Sequence, residues 1–199
     1  YKTTKNYIPY NNPVIGYNCT IYYCSEDNLY SMNREGKINW NLNDSYLNPR
    51  GLVIDSKNNL YIFNEGYGNY SKGLAAFSRQ GNFKWDISMD FNFSTHSGDI
   101  VSTPVIGYDN TIYATDAKYL YSINYDGSLN WKVKLYGKQN STPAIGESNT
   151  IYVLSKLSTK LCRTKLIAIN SDGTLRWEQL ISKGRVNTDT PGTGNRFTS

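Results

Sequence analysis

The chain has 199 residues, a formal net charge of +5 spread along its length, and 18 Tyr, 4 Trp and 24 Asn beside only 2 Met and 1 His. Such a mixture favours strands and turns over helices, and the length suffices to bury a sizeable core. No window repeats apolar residues at helical spacing, and no apolar run approaches the roughly 18 to 20 residues of a membrane span, so a soluble, nearly all-β chain is expected.

Residues 1–12 are a lead-in. The chain starts at Tyr1 without an initiating Met or the charged-then-apolar pattern of a signal peptide, which reads as an excised or processed piece. A first unit, 13–48, opens with PVIGYNCT (13–20), continues through Ile21-Tyr22 and the alternating segment LYSMN (29–33), and reaches Trp40. The second, 49–98, runs through LVIDSKNN (52–59), Leu60-Tyr61, LAAFS (74–78) and Trp85. The third, 99–138, runs through PVIGYDNT (104–111), Ile112-Tyr113, LYSIN (120–124) and Trp131, with strands predicted over 103–107, 111–115, 119–124 and 128–134. The fourth, 139–182, repeats the order with PAIGESNT (143–150), Ile151-Tyr152, LIAIN (166–170) and Trp177. In the tail, 183–199, Thr190-Pro191 matches Thr103-Pro104 and Thr142-Pro143, as if a further unit were starting.

The four tryptophans are separated by 45, 46 and 46 residues, and each stands four residues after a glycine: Gly36, Gly81, Gly127 or Gly173. Self-similarity at such a period marks a repeat architecture in which each unit is one supersecondary element. Turn chemistry bounds the strands. Asp109-Asn110 and Ser148-Asn149 separate the first two strands of their units, while Asp126-Gly127 and Asp172-Gly173 mark hairpins between the last two, with Gly supplying positive φ. Units one and three align without gaps and share 15 of 28 positions from Pro13 to Trp40 and Pro104 to Trp131. Units two and four instead carry insertions, EGYGNYSK (65–72) and SKLSTKLCRT (155–164), which suggests duplication of a two-unit module.

The segments SMNREGKINW, AFSRQGNFKW, SINYDGSLNW and AINSDGTLRW resemble the PQQ-like repeat, whose pattern runs roughly A-x-D-x-x-T-G-K-x-x-W, and the resemblance covers about residues 13–181. Each copy has Asn or Ser where the family usually has Asp, and the Thr before Gly is replaced, so these are divergent members. The stretch PRGLVIDSKNNLYIF (49–63) is also similar to NHL-type repeats. The resemblance implies an all-β propeller of about four four-stranded blades, with 1–12 ending a preceding blade and 183–199 starting another. Rings of this kind close with about six to eight blades, so an incomplete arc of a larger ring is expected.

A PQQ-like repeat also implies a dehydrogenase hypothesis, with a quinone held between a Trp and a vicinal disulfide, Glu and Asn on calcium, and an Asp base. The chain has no adjacent Cys pair, and Trp40, Trp85, Trp131 and Trp177, with Gly36, Gly81, Gly127 and Gly173, occupy a recurring position read as repeat core. No catalytic, cofactor-binding or metal residue is therefore assigned. Cys19, Cys24 and Cys162 are odd in number and have one distant His96 to help them hold a metal, so they read as ordinary thiols. A Ser-His-Asp or Cys-His site would have to use that same His96, in the connection FNFSTHSGD (91–99).

What remains is a non-catalytic platform for another protein, as in the outer-membrane assembly propellers of this repeat type. Candidate contact residues are Tyr67, Tyr70, His96, Lys160 and Arg163, because aromatic and Arg side chains anchor interfaces. A carbohydrate-binding surface is the alternative, and a fragment of a quinone- and calcium-dependent dehydrogenase the second. No nucleic-acid partner is assigned, and the basic residues Lys156, Lys160, Arg163 and Lys165 read as a solvated hairpin tip. Sequons begin at Asn18, Asn43, Asn69, Asn92 and Asn140, about as many as so Asn-rich a chain holds by chance. The family resemblance places the protein at the cell surface, in the envelope or outside the cell.

Overall fold

The computed structural model describes residues 12–25, 28–43, 47, 49–64, 71–89, 102–116, 118–136, 139–158 and 163–183. They form four antiparallel sheets in chain order. The first holds β1 (Val14–Ile15), β2 (Ile21–Ser25), β3 (Asn28–Met32) and β4 (Ile38–Asn43), and the second β5 (Pro49–Ile54), β6 (Leu60–Asn64), β7 (Gly73–Phe77) and β8 (Phe83–Ser88). The third holds β9 (Val105–Ile106), β10 (Ile112–Thr115), β11 (Tyr119–Ile123) and β12 (Leu129–Lys134). In the fourth the inner strand is split into β13 (Gln139–Asn140) and β14 (Ala144–Ile145), which both pair with β15 (Ile151–Ser158), and β16 (Arg163–Ile169) and β17 (Leu175–Lys183) complete it. This is the all-β arc of four propeller blades expected from the repeat. No helix among the described residues is long and apolar enough to cross a membrane.

Each blade closes its last hairpin in the same way. Gly36, Gly81, Gly127 and Gly173 take φ of +82°, +83°, +90° and +87°, and the ladder shifts register beside each of these turns, between Ser31 and Met32 in blade 1 and between Ser122 and Ile123 in blade 3. A left-handed Gly in a bulge adds twist to the hairpin, which L side chains at that position would resist.

The cores lie between blades. One cluster joins Tyr22, Cys24 and Leu29 of blade 1 to Leu60, Ile62 and Phe77 of blade 2; a second joins Tyr61, Phe63 and Leu74 to Ile112, Tyr121 and Ile123; a third joins Tyr113 and Leu120 to Ile151, Val153, Ile167 and Ile169. Blades 2 and 3 are thus covered on both faces, and their strands β6, β7 and β10 are buried at every residue. Strand β2 of blade 1 alternates between covered and less covered positions, as a strand packed on one face must.

Candidate functional site

The recurring Trp residues do not fill the core of their own blade; they bridge to the next one. Trp40 Nε1 donates to the Arg79 carbonyl, Trp85 Nε1 to that of Tyr125 and Trp131 Nε1 to that of Ser171, each at 3.0 Å. The accepting carbonyl always lies two residues before the hairpin glycine of the following blade. The indole also lies against that glycine: a Cβ added at Gly81 would stand 3.1 Å from Trp40, one at Gly127 2.7 Å from Trp85, and one at Gly173 2.9 Å from Trp131. Each of these glycines is therefore required twice, for its φ and for the ring above it.

Beneath each ring sits the Tyr of the Ile-Tyr or Leu-Tyr pair in the same blade. The ring centroids of Tyr22–Trp40, Tyr61–Trp85, Tyr113–Trp131 and Tyr152–Trp177 are 6.1, 5.8, 6.0 and 5.9 Å apart, in tilted arrangements. Trp40, Trp85 and Trp131 pack against the three hydrophobic clusters between blades. Trp40, Trp85 and Trp131 are half-buried, and Trp177 is 41% exposed, because an indole at the blade edge is covered only by the following blade.

A second set of bonds joins the blades near the first turn of each unit. Tyr17 N donates to Asn58 Oδ1 at 3.0 Å and Tyr108 N to Asn149 Oδ1 at 2.9 Å, while Ser56 Oγ meets Asn110 Oδ1 at 3.4 Å. Asn58, Asn110 and Asn149 share a left-handed backbone, and blade 1 places Cys19 there with φ of +56°. Asn tolerates that conformation better than Cys, so the Asn residues both shape the turn and grip the preceding blade.

Of the candidate contact residues, Tyr67, Tyr70, His96 and Lys160 lie outside the described residues, as does Cys162. Arg163 begins β16 and is exposed. Nearby, Lys165 forms an ion pair with Glu178 across the β16–β17 ladder. The structure adds a set of exposed rings that sequence reasoning missed. Tyr17 is 76% exposed and Tyr108 80%, at equivalent positions in the first turns of blades 1 and 3, and Tyr125 is exposed on the last hairpin of blade 3. In an up-and-down blade the first and last turns fall at the same end of the sheet, so these rings share one end of the arc. The signal for Tyr17 and Tyr108 was present in the shared PVIGY of units one and three.

The titratable groups that burial perturbs belong to the packing. Desolvation pushes the Cys24 thiol up to about 12, and it raises Tyr22, Tyr61 and Tyr113, with Asp55 adding to the rise at Tyr61 through charge and a 3.0 Å hydrogen bond from the phenol. On the surface, Asp126 and Asp172 are lowered by hydrogen bonds from the side chain and backbone of Ser128 and Thr174. An open cleft of about 330 Å³ between blades 3 and 4 is lined by Asp109, Asn130, Trp131 and Asp172 among others. Asp109 there accepts from Thr111 N and Asp172 from Thr174, so both carboxylates serve their own turns. No three His, Cys, Asp or Glu side chains converge among the described residues, and Cys24 is buried in the cluster between blades 1 and 2 rather than beside another cysteine.

A family profile described as outer membrane protein assembly factor BamB matches residues 94–197, just over half of the sequence. The chain belongs to this family. Its repeats are thus of the PQQ-like kind, and the solved structures that resemble it agree on the fold. A quinohemoprotein alcohol dehydrogenase from Pseudomonas putida HK5 superposes with a TM-score of 0.64 at 13% identity, covering 88% of this chain and 34% of that one. A protein of unknown function from Bacteroides caccae gives 0.57 at 10% identity, covering 85% and 60%. A gluconolactonase from Xanthomonas campestris gives 0.54 at 9%, covering 87% and 62%. The chain spans less than two thirds of each of these BamB-like arc's structural relatives. No curated protein matches it in sequence.

Proposed function

We propose that the chain is a non-catalytic propeller platform that binds another protein in the cell envelope. The observation that carries this reading is membership of a family described by an assembly factor of the outer membrane. Two structural features support it. The Trp, Tyr and Gly residues that recur in the blades are spent on holding blade to blade, and the burial-shifted groups are packed phenols and a packed thiol. Meanwhile Tyr17, Tyr108 and Tyr125 present large, stiff rings at one end of the arc, the kind of side chain that anchors protein interfaces.

Immobilised chain should capture a protein from the host's envelope fraction, and Tyr17→Ala with Tyr108→Ala should weaken capture by about tenfold, the effect of one or two interface anchors, with unchanged melting. Capture unaffected by both substitutions overturns the assigned surface. Micromolar binding of the quinone with calcium by calorimetry, accompanied by dye-linked alcohol oxidation, overturns the non-catalytic reading. Selective signals on a glycan array with no protein captured would replace it with the carbohydrate-binding alternative.

A further inference from the structure

We propose that the turns of blades 3 and 4 bind a basic segment of the partner protein, with one Lys or Arg side chain entering the cleft between these two blades. The inference rests on the platform reading and names the chemistry of the partner.

Eight turns of one design form this end of the sheets. The first turns, 16–20, 55–59, 107–111 and 146–150, each bond the leading N–H to the carbonyl four residues on, and the last turns, 33–37, 78–82, 124–128 and 170–174, do the same. All eight are described, and the undescribed segments attach at the opposite end of the strands. Charge is divided between the two halves of this end. The turns of blades 1 and 2 hold Arg34, Lys37, Lys57 and Arg79 against Glu35 and Asp55. Those of blades 3 and 4 hold Asp109, Asp126, Glu147 and Asp172 and no Lys or Arg, in a chain whose net charge is +5. All four acidic residues are exposed, including Asp126, which has a blade on either side, so the exposure belongs to the turn position. Tyr108 and Tyr125 precede two of them in the chain and are exposed as well.

The clefts between blades sharpen the contrast. Between blades 1 and 2, Arg79 stands at the hairpin position that Ser171 takes in blade 4; burial raises the Tyr22 phenol, and the Arg79 charge opposes the rise. Between blades 2 and 3, Lys57 takes the position of Asp109 and lies 5.9 Å from the centroid of the Tyr125 ring, while Lys84, at the position of Asn130, donates to Asn59 Oδ1 at 3.1 Å. Each of these clefts thus carries a cation of the chain's own. The cleft of about 330 Å³ between blades 3 and 4 has no base in its lining, and Asp109 and Asp172 stand there with Asn130, Trp131 and the small Ser171. Burial raises the Tyr113 phenol too, but here the neighbouring Asp109 charge adds to the rise. Both aspartates bond their own turns through Oδ1, which leaves Oδ2 of each to accept from a ligand. Arg176, the base that reaches these turns, is held on Thr150 Oγ1 at 3.0 Å. A Lys or Arg of the partner supplies in this cleft what the two sister clefts hold within the chain, and the acidic turns around it steer and orient a basic segment.

Titration of the chain with the peptide acetyl-Gly-Arg-Gly-Arg-Gly-amide, followed by amide and indole NMR, tests the proposal. Signals of 107–111, 124–128, 146–150 and 170–174 and of the Trp131 indole should shift, while those of 16–20 and 33–37 stay. Asp109→Asn with Asp172→Asn, which keeps Oδ1 for the turns and should leave melting unchanged, should weaken binding by about tenfold, the worth of two exposed ion pairs. Ser171→Arg gives the cleft the cation that Arg79 gives its sister and should abolish the Trp131 shift. Equal binding of the same peptide with Gln for Arg overturns the proposal, as do shifts confined to the turns of blades 1 and 2, or calcium chloride saturating the same signals while the peptide leaves them unmoved. Capture from the envelope fraction separates the two readings. A protein lost with Tyr17→Ala and Tyr108→Ala but held at full strength by the double Asn variant leaves the platform standing and overturns the basic segment; peptide binding with no protein captured overturns the platform itself.

Discussion

The two inner blades and the two end blades are made of the same repeat but live in different surroundings. In blades 2 and 3 every residue of β6, β7 and β10 is buried, because a neighbouring sheet covers each face. Among the described residues blade 1 packs against blade 2 alone, and its strand β2 alternates; blade 4 has Leu154 and Trp177 exposed. The same side chain thus carries different weight by position. Trp131 is clamped between Tyr113 below and Gly173 above, whereas Trp177 has the Tyr152 ring and no following glycine among the described residues.

That contrast sets the expected size of several effects. Trp131→Ala should lower the unfolding free energy by about 3 kcal/mol, the low end for a large aromatic because the ring is only half-buried, while Trp177→Ala should cost under about 1 kcal/mol in the monomer. Urea denaturation of the two variants measures the difference, and equal losses would erase the distinction between inner and end blades. Gly127→Ala should cost about 2 kcal/mol, since its Cβ meets both a positive φ and the Trp85 ring, whereas Gly36→Ala should cost about 1 kcal/mol for the φ alone.

The two described thiols differ in the same sense. Cys24 is covered by blade 2 and its thiol is pushed up to about 12 by desolvation, while Cys19 is exposed in the first turn of blade 1. A thiol with a raised folded pKa stays protonated while the unfolded chain ionises, so its contribution is complete below pH 9 and falls away between about 9 and 12. At pH 10 the loss from Cys24 alone should be about 1 kcal/mol, absent in Cys24→Val, and a thiol reagent followed by peptide mapping should modify Cys19 well before Cys24. Effects of about the same size or smaller are expected at the first turns. Asn149→Ala removes the acceptor of Tyr108 N and should cost about 1 kcal/mol, and Cys19→Asn should stabilise the monomer by about 0.5 kcal/mol through its left-handed backbone.

Much of the fold was legible because its signals are local. The strands predicted for the third unit at 103–107, 111–115, 119–124 and 128–134 appear as β9 over Val105–Ile106, β10 over Ile112–Thr115, β11 over Tyr119–Ile123 and β12 over Leu129–Lys134. The shortest of them, β9, loses most at its ends, since only Tyr113 and Ile112 of β10 pair with it. The surface was harder to read. Four of the five candidate contact residues fall outside the described residues, and the exposed Tyr17 and Tyr108 were hidden among 18 tyrosines, because exposure depends on what packs above a ring and composition does not encode that.

By itself, then, the sequence determined the number of blades, the strands and the hairpin glycines, since alternation, turn chemistry and a 45- to 46-residue period are properties of short stretches of chain. It also placed Gly36 four residues before Trp40, which invites the two to be read as partners. Only the tertiary structure decided otherwise. Sheet stacking brings Trp40 over Gly81, Trp85 over Gly127 and Trp131 over Gly173, a pairing between residues about 40 apart that no local propensity can specify.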